Sequence, residues 1–345
     1  MYKLTNTIEP HFEILRNGGT YGVLEAYGAP EIQCAVSSAL KMSFKGSFRK
    51  PGIDVNWLAD RIQAGIKING EDYRMGVYIP VTVTTQHTEQ GDILDVEAYS
   101  ILYLAQRKKF EERWFIAAGT GYIDAVQMML REAGIEDYYS DRTTLALPFD
   151  REFEEGTTIL DAVNALLVEI NYNTAWVNMA GQVQLTKYEQ PSAENIKHTY
   201  EEGEYSVLYD EYTVSSDQFG KANVFRLVCS HPELDEPMIA EAENADINSP
   251  FSTKSLGVRI LDIETVDSAP DLETLNDMAF KKMIESKQTI QVIEFSTAIV
   301  PTHETFDIVA LQHGEMSGIY REIEWRAALD ASGNMAHKAE RVVAV

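Results

Sequence analysis

Alternating apolar and polar side chains predict β-strands through most of the first hundred residues. Over residues 40–45 every second side chain is apolar, which is typical of a half-buried strand. An Asn-Gly dipeptide at 69–70 predicts a two-residue hairpin turn, because both central positions of that turn need a positive φ. Residues 73–85 and 93–103 are rich in Val, Ile, Thr and Tyr and predict two further strands. A Gly and a Pro inside the first of these predict a bulge or a sheet edge.

The middle of the chain changes to the apolar spacing of helices. Apolar residues three and four apart predict a helix over 123–130, with Gly134 as its C-cap. A second helix is predicted to begin after Thr158, which together with Asp161 resembles a capping box. Residues 176–188 predict a hairpin. This part of the chain is therefore predicted as helix, helix, hairpin.

Beyond residue 189 the pattern returns mainly to strands. The polar, acidic segment 189–204 predicts a linker. One helix is predicted to begin after Asp271, with a buried stripe formed by Leu272, Leu275, Ala279 and Met283. The predicted strands are residues 205–214, 224–229, 292–300, 306–311 and 319–329. A turn at 332–334 predicts a last hairpin that ends near Val345.

Charge narrows the possible functions more than size does. The 345 residues include 29 Lys and Arg against 54 Asp and Glu, a formal net charge of −25. Such a chain repels phosphates, which excludes a general nucleic-acid binder and a binder of anionic membranes. The two cysteines, Cys34 and Cys229, are too few for a disulfide framework and fit a reducing compartment. Neither a secretory signal nor a membrane-spanning run is expected.

One basic strip interrupts this acidity. It comprises Lys41, Lys45, Arg49 and Lys50, and no acidic residue lies between Glu31 and Asp54. A solvated strand face would explain it. A docking face for an acidic neighbour, including another copy of the chain, would explain it equally well.

Three segments resemble chemical sites, and each has a simpler interpretation. Gly119 and Gly121 precede a helix, but Asp124 stands where a dinucleotide-binding motif has its third glycine. His303 and Asp307 have the spacing of some zinc ligands, but no further ligand is near in sequence; a strand-edge His beside an exposed Asp is the favoured interpretation. Residues 231–246 contain six acidic and no basic side chains, which predicts a solvated loop.

The chain resembles the central baseplate hub proteins of phage tails and phage-tail-like particles, especially those of Gram-positive hosts. The resemblance lies in the order and spacing of several segments. They are residues 115–121, 133–135, 151–160, 166–172, 176–181, 248–252, 256–257, 301–303, 307–309 and 318–320.

This resemblance implies an α+β, β-rich fold with two tube-forming β-barrel domains. Residues 1–105 would form the first barrel, 106–190 an inserted helix-helix-hairpin domain, and 191–345 the second barrel. Residues 236–287 are expected to pack on the inserted domain. Family members form trimers, so that six barrels match the hexameric tail tube above, while a spike or tip docks below.

The function implied is structural. The expected partners are two further copies of the chain, the tail tube protein, the spike or tail-tip protein and other baseplate proteins, with no specific nucleic-acid binding and no membrane insertion. No catalytic, cofactor-binding or metal-binding residue is predicted, and the expected location is a virion tail or tail-like particle assembled in the bacterial cytoplasm. A cell-wall hydrolase with two close carboxylates and a host-carbohydrate-binding tail protein remain the alternatives.

Overall fold

The computed structural model describes residues 7–203, 206–216, 221–288 and 291–342. Tyr205, where one predicted strand begins, and Val345, near which the last hairpin was expected to end, lie outside these residues. Strands dominate, and most of them belong to one continuous sheet. No helix in the described ranges is both long and apolar enough to cross a bilayer. The predicted β-rich α+β fold is confirmed.

The first β block encloses its own core. Its strands are β1 (Ile8–Arg16), β2 (Gly19–Leu24), β3 (Glu31–Ala35), β4 (Met42–Arg49), β5 (Arg61–Ile68), β6 (Glu71–Thr88) and β7 (Gly91–Tyr99). Antiparallel pairing runs in the order β2-β1-β5-β6-β7-β4. The segment after β2 then bonds back to β4, because the Tyr27 N–H donates to the Ser47 carbonyl (2.7 Å) and the Arg49 N–H donates to the Glu25 carbonyl (2.8 Å). Phe12, Phe44 and Phe48 pack together inside.

Local signals in this block are confirmed. Asn69 and Gly70 both have positive φ, 53° and 87°, as the predicted turn between β5 and β6 requires. β6 is irregular at two places. Gly76 has a φ of 106°, and the register with β7 shifts between Pro80 and Thr82. These are the bulges that the Gly and the Pro predicted.

An inserted α/β block follows. Its elements are α1 (Leu102–Arg107), β8 (Trp114–Ile116), α2 (Tyr122–Glu132), β9 (Tyr138–Ser140), β10 (Arg151–Phe153), α3 (Ile159–Glu169), β11 (Trp176–Val177) and β12 (Val183–Leu185). α2 and α3 bury their apolar stripes in one core with α1. The predicted caps are confirmed, since Thr158 Oγ1 accepts the Asp161 N–H (3.1 Å) and Gly134 has a φ of 79°. α1 was not predicted, because its first two residues, Leu102 and Tyr103, fall within the strand predicted over 93–103, which in the structure ends at Tyr99.

The second β block contains the rest of the large sheet. Its strands are β13 (Ile196–Glu201), β14 (Leu208–Ser216), β18 (Gln291–Ala298), β19 (Ile308–Gln312), β20 (Gly318–Ala328) and β21 (Asn334–Arg341). Their order is β14-β18-β21-β20-β19-β13, with β13 parallel to β19. Short 3-10 helices lie at Ala193–Asn195 and Gly314–Met316. Residues 189–204 were predicted as a linker, which is wrong for β13. This strand alternates between more buried and exposed side chains, but only two of its six residues, Ile196 and Tyr200, are apolar or aromatic, and the segment around it is polar and acidic.

A smaller sheet is inserted between β14 and β18. It consists of β15 (Val224–Cys229), β16 (Met238–Glu243) and β17 (Leu261–Val266), with the short helix α4 (Thr253–Leu256) and the long helix α5 (Leu272–Gln288). α5 covers one face through Leu275 and Ala279, while Leu272 is 48% exposed and does not belong to the predicted stripe. Residues 231–246 are not one loop, because β16 lies within them.

β3 joins the two large blocks. It pairs with β4 on one side and with β20 on the other. Eight strands therefore follow one another in the order β14-β18-β21-β20-β3-β4-β7-β6, and every neighbouring pair is antiparallel.

Candidate functional site

The broadest candidate surface is one polar face of this row of eight strands, named here the open face. Directly paired residues in antiparallel strands lie on the same side of a sheet. The pairings therefore place one set of polar residues together, each exposed or half-exposed: Glu294, Lys338, Glu324, Arg326, Gln33, Glu31, Lys45, Glu97 and Thr82. The opposite sides of the same strands are buried at Phe295, Trp325 and Phe44.

Ion pairs run across the open face from strand to strand. Lys338 Nζ lies 3.1 Å from Glu294 Oε1, and Lys45 Nζ lies 3.1 Å from Glu97 Oε1. Arg326 lies 3.5 Å from Glu31 at the junction of the two blocks. Acidic groups predominate in the two depressions of this face: Asp210, Glu211, Glu294, Glu324, Glu31, Asp95 and Glu97 against Arg326, Lys338 and Lys45. The face is thus polar and exposed, and its acidic side chains outnumber its basic ones.

The predicted basic strip does not form one exposed surface. Lys41 is only 4% exposed, and burial lowers the pKa of its ammonium group to about 8. The other three cations are neutralised within the chain, since Arg49 pairs with Glu25 (2.9 Å), Lys50 with Asp92 (3.1 Å) and Lys45 with Glu97. The sequence could not reveal this, because the acidic partners come from other segments of the chain, Glu25 after β2 and the other two from β7.

A buried polar cluster lies inside the second β block. His303 and Asp307 come from the loop between β18 and β19, His198 from β13, Glu322 from β20 and His337 from β21. His303, Glu322 and His337 are at most 3% exposed. The favoured interpretation of His303 and Asp307 as a strand-edge pair is wrong, because both side chains are buried. Sequence spacing missed the other members, since sheet pairing alone brings them close.

Contacts within this cluster centre on His303. Its Nδ1 lies 2.7 Å from Glu322 Oε2 and 3.9 Å from Asp307 Oδ2. Its Nε2 bonds to the Tyr200 hydroxyl. Glu322 Oε1 bonds to Nδ1 of His337, whose Nε2 lies 2.9 Å from Thr297 Oγ1.

Burial and neighbouring charges shift the pKa values of Glu322, His303 and His337 in different directions. Burial opposes ionisation of Glu322, but His303 and His337 outweigh it and lower the pKa of the carboxyl to about 2. Burial likewise opposes protonation of His303, yet Glu322 and Asp307 raise its pKa. For His337 burial prevails and lowers the pKa. The shifts thus favour an ionised Glu322, and they favour protonation of His303 over protonation of His337.

Aromatic and ionic contacts connect the inserted blocks to their neighbours. The Met179 N–H donates to Glu304 Oε1 (3.1 Å), and the rings of Trp176 and Phe306 meet edge-on. The later inserted segment also reaches the first one: Arg151 Nη2 lies 3.2 Å from Asp267 Oδ2. Lys281 lies 4.4 Å from the centre of the Tyr188 ring.

Comparison with solved structures identifies the fold. A tail protein from Neisseria meningitidis aligns over 96% of this chain and 96% of its own, with a TM-score of 0.67 and 10% identity. The 43 kDa tail protein of prophage MuSo2 from Shewanella oneidensis aligns over 96% and 98%, also with a TM-score of 0.67 and 10% identity. This chain has the fold of phage tail proteins.

A third solved structure with a similar fold belongs to a secretion system rather than to a phage. An Escherichia coli component of the type VI secretion system, described as structurally similar to the phage T4 tail proteins gp27 and gp5, aligns over 96% of this chain and 77% of its own. Its TM-score is 0.57 and its identity 7%. No protein-family model and no curated protein matches the sequence. The predicted tail-hub fold is therefore confirmed by structural similarity.

Proposed function

We propose that the chain is a structural hub of a phage tail or tail-like particle: a homotrimer that joins the hexameric tail tube to the central spike or tip. Its role is mechanical and non-enzymatic, its neighbours are tube, spike and other baseplate proteins, and it assembles in the host cytoplasm. The fold shared with phage tail proteins supports a tail role. The observation that carries the finer proposal is the row of eight antiparallel strands with one polar face.

The strand count supports threefold assembly around a channel. Three copies would supply 24 strands, and a spacing of about 4.8 Å between strands gives a ring about 37 Å across before any strand tilt. Barrels of about 16–18 strands already enclose water rather than side chains. The open face would line this channel, and its acidic excess would keep a phosphate-bearing cargo from adhering.

The edges of the row support pairing between copies. β14 lies at one end. At the other, residues 82–88 of β6 pair only with β7 among the described strands, because β5 pairs with the earlier part of β6. An edge with unpaired backbone groups is a template for another strand. We therefore assign the contact between copies to β14 of one and the outer half of β6 of the next.

Crosslinking tests this arrangement. Thr84 and Thr213 are exposed on the two edges. The double variant Thr84→Cys/Thr213→Cys, treated with a short bis-maleimide, should give covalent trimers in the presence of tube and spike partners. Each single variant should give none. A mass measurement in solution on the wild type, alone and with those partners, checks the same assembly without labels.

Two observations together would contradict the proposal. A chain that stays monomeric with tube and spike proteins, and whose double variant crosslinks no more than either single variant, is not a trimeric hub. If trimers form but these edges do not crosslink, the hub role stands and only the assigned contact between copies is wrong.

A further inference from the structure

The small sheet β16-β15-β17 carries apolar side chains on the face that its own helix α5 does not cover. Residues paired directly across neighbouring strands lie on the same side of a sheet. Pairing therefore places Ile239 of β16, Val228 and Arg226 of β15, and Leu261 and Ile263 of β17 on one side, named here the outer face. Ile239 and Ile263 are each 56% exposed, so the described part of the chain leaves most of both side chains uncovered.

The start of β17 has its apolar side directed away from the chain's own core. Leu261 and Ile263 lie on the outer face, whereas Asp262 and Glu264 lie on the side of α5, where Glu264 pairs with Lys282. A sheet with one face on a core and the other in water normally shows the opposite pattern. A shift of one residue would turn both apolar side chains inward, and the structure does not adopt that register. Such a strand is typical of a sheet whose outer face is covered in an assembly.

The charged side chains of the outer face neutralise one another. Arg226 Nε donates to Glu241 Oε2 (2.9 Å), and Arg259 Nη1 lies 2.8 Å from Glu243 Oε2. Two basic and two acidic groups thus form a neutral network in a chain of net charge −25. Copies of so acidic a chain repel one another wherever their acidic surfaces meet. A neutral, apolar surface is where two copies can approach without that repulsion.

The position of the small sheet in the fold indicates its neighbour. It is inserted between Ser216, the last residue of β14, and Gln291, the first residue of β18, and these two residues pair with each other. β14 is the edge strand assigned above to the contact with the next copy. α5 lies toward the chain's own second β block, since Glu285 Oε1 is 3.4 Å from Arg321 Nη1 of β20. The outer face is on the other side of the sheet, beside the β14 edge.

The next copy presents its inserted α/β block at the same level. β7 and β14 run in the same direction along the row of eight strands, so Tyr99 and Ser216 lie at the same end of the row. The inserted block begins just beyond Tyr99, and β7 adjoins β6, the strand assigned to the contact with β14. Phe115 and Met128 are exposed apolar residues of this block.

We propose that the outer face is covered by the inserted block of the next copy in the hub trimer. This inference rests on the proposed function and on the contact assigned to β14. Exposed apolar patches of more than about a few hundred Å² mark interaction sites. A stable interface buries about 800 Å² on each partner, and the outer face would extend the narrow contact between two edge strands toward that size.

Trimer stability tests this inference. In the double variant Ile239→Ser/Ile263→Ser, the association constant of the trimer should be at least about 30-fold lower than in the wild type, because a few apolar anchors contribute most of the binding energy of an interface. The melting temperature of the monomer should not change, since both side chains are exposed there. Leu58→Ser is the matched control, because Leu58 is 93% exposed in the first β block, outside the proposed contact. Sedimentation under conditions in which the wild type forms trimers measures the constants.

Cysteine labelling adds a readout of position. Both native cysteines are buried, so a maleimide should react selectively with the cysteine of the Ile263→Cys variant. Labelling of this variant should be fast in the monomer and slow in the trimer. Leu58→Cys should react equally fast in both.

The outcomes separate this inference from the hub itself. If wild-type trimers form, but Ile239→Ser/Ile263→Ser assembles equally well and Ile263→Cys stays reactive, this inference is wrong and the hub stands. If the wild type never forms trimers with tube and spike proteins, both fail together. If another protein shields Ile263→Cys on a chain that stays monomeric, the occupant is not a second copy and the inference is likewise wrong.

Discussion

Glu169, at the end of α3, shows how one buried charge affects stability. It is 5% exposed, and burial raises the pKa of its carboxyl to about 7 although Arg151 lies 3.1 Å away. The usual value is 4.5, so the folded chain binds more protons than the unfolded chain between pH 4.5 and pH 7. Stability therefore rises as the pH falls through this window and is lost as the pH rises.

Glu169→Gln should remove this dependence. The difference in unfolding free energy, variant minus wild type, should be larger at pH 8 than at pH 5 by up to about 3 kcal/mol. This follows because one pKa unit corresponds to about 1.4 kcal/mol. Urea unfolding at both pH values measures the difference. Glu152→Gln, at a half-exposed position in the neighbouring β10, is the control for charge removal alone. A constant difference between Glu169→Gln and wild type at both pH values would contradict the assignment.

At the scale of a single element, the N-cap of α3 contributes to stability. Thr158 Oγ1 accepts the Asp161 N–H at the start of α3, a helix whose apolar face lies in the inserted block's core. Thr158→Ala should cost about 1 kcal/mol of stability, because a helix N–H loses its acceptor. Thr158→Ser retains the oxygen and should behave like the wild type in chemical unfolding. Equal losses in both variants would show that the methyl group matters rather than the cap.

Elements with local signals could be predicted from the sequence. The Asn69-Gly70 turn, the bulges of β6 and the start of α3 depend on residues adjacent in the chain. β13 and β17 were missed although both alternate over a few residues. β13 places Ile196, His198 and Tyr200 on its more buried side but lies in an otherwise polar, acidic segment, and β17 is a short edge strand with exposed apolar residues.

The same contrast between local and long-range signals explains which site residues could be predicted. His303 and Asp307 could be noticed from their spacing, but His198, Glu322 and His337 join them only through pairing between strands far apart in sequence. The burial of Lys41 depends likewise on tertiary packing. A site whose residues come from different strands leaves no pattern in the local sequence.

Net charge acts at the scale of the whole molecule. At −25 per chain, three copies repel one another, and salt screens that repulsion. Raising the ionic strength from about 10 mM to about 150 mM shortens the Debye length from about 30 Å to about 8 Å. We expect the proposed trimer to tighten over this range, as measured by mass photometry or sedimentation. Weakening with salt would instead indicate that attractive ion pairs dominate the contact between copies.

The junction at β3 has a mechanical consequence. Five residue pairs connect β20 to β3, and four connect β3 to β4. A pull along the strand direction would load all these backbone bonds simultaneously, so that none can open ahead of the others. The two halves of the chain cannot slide past each other along the strands without breaking the whole ladder. A thrust along the strands received by one half would therefore pass to the other through these backbone bonds.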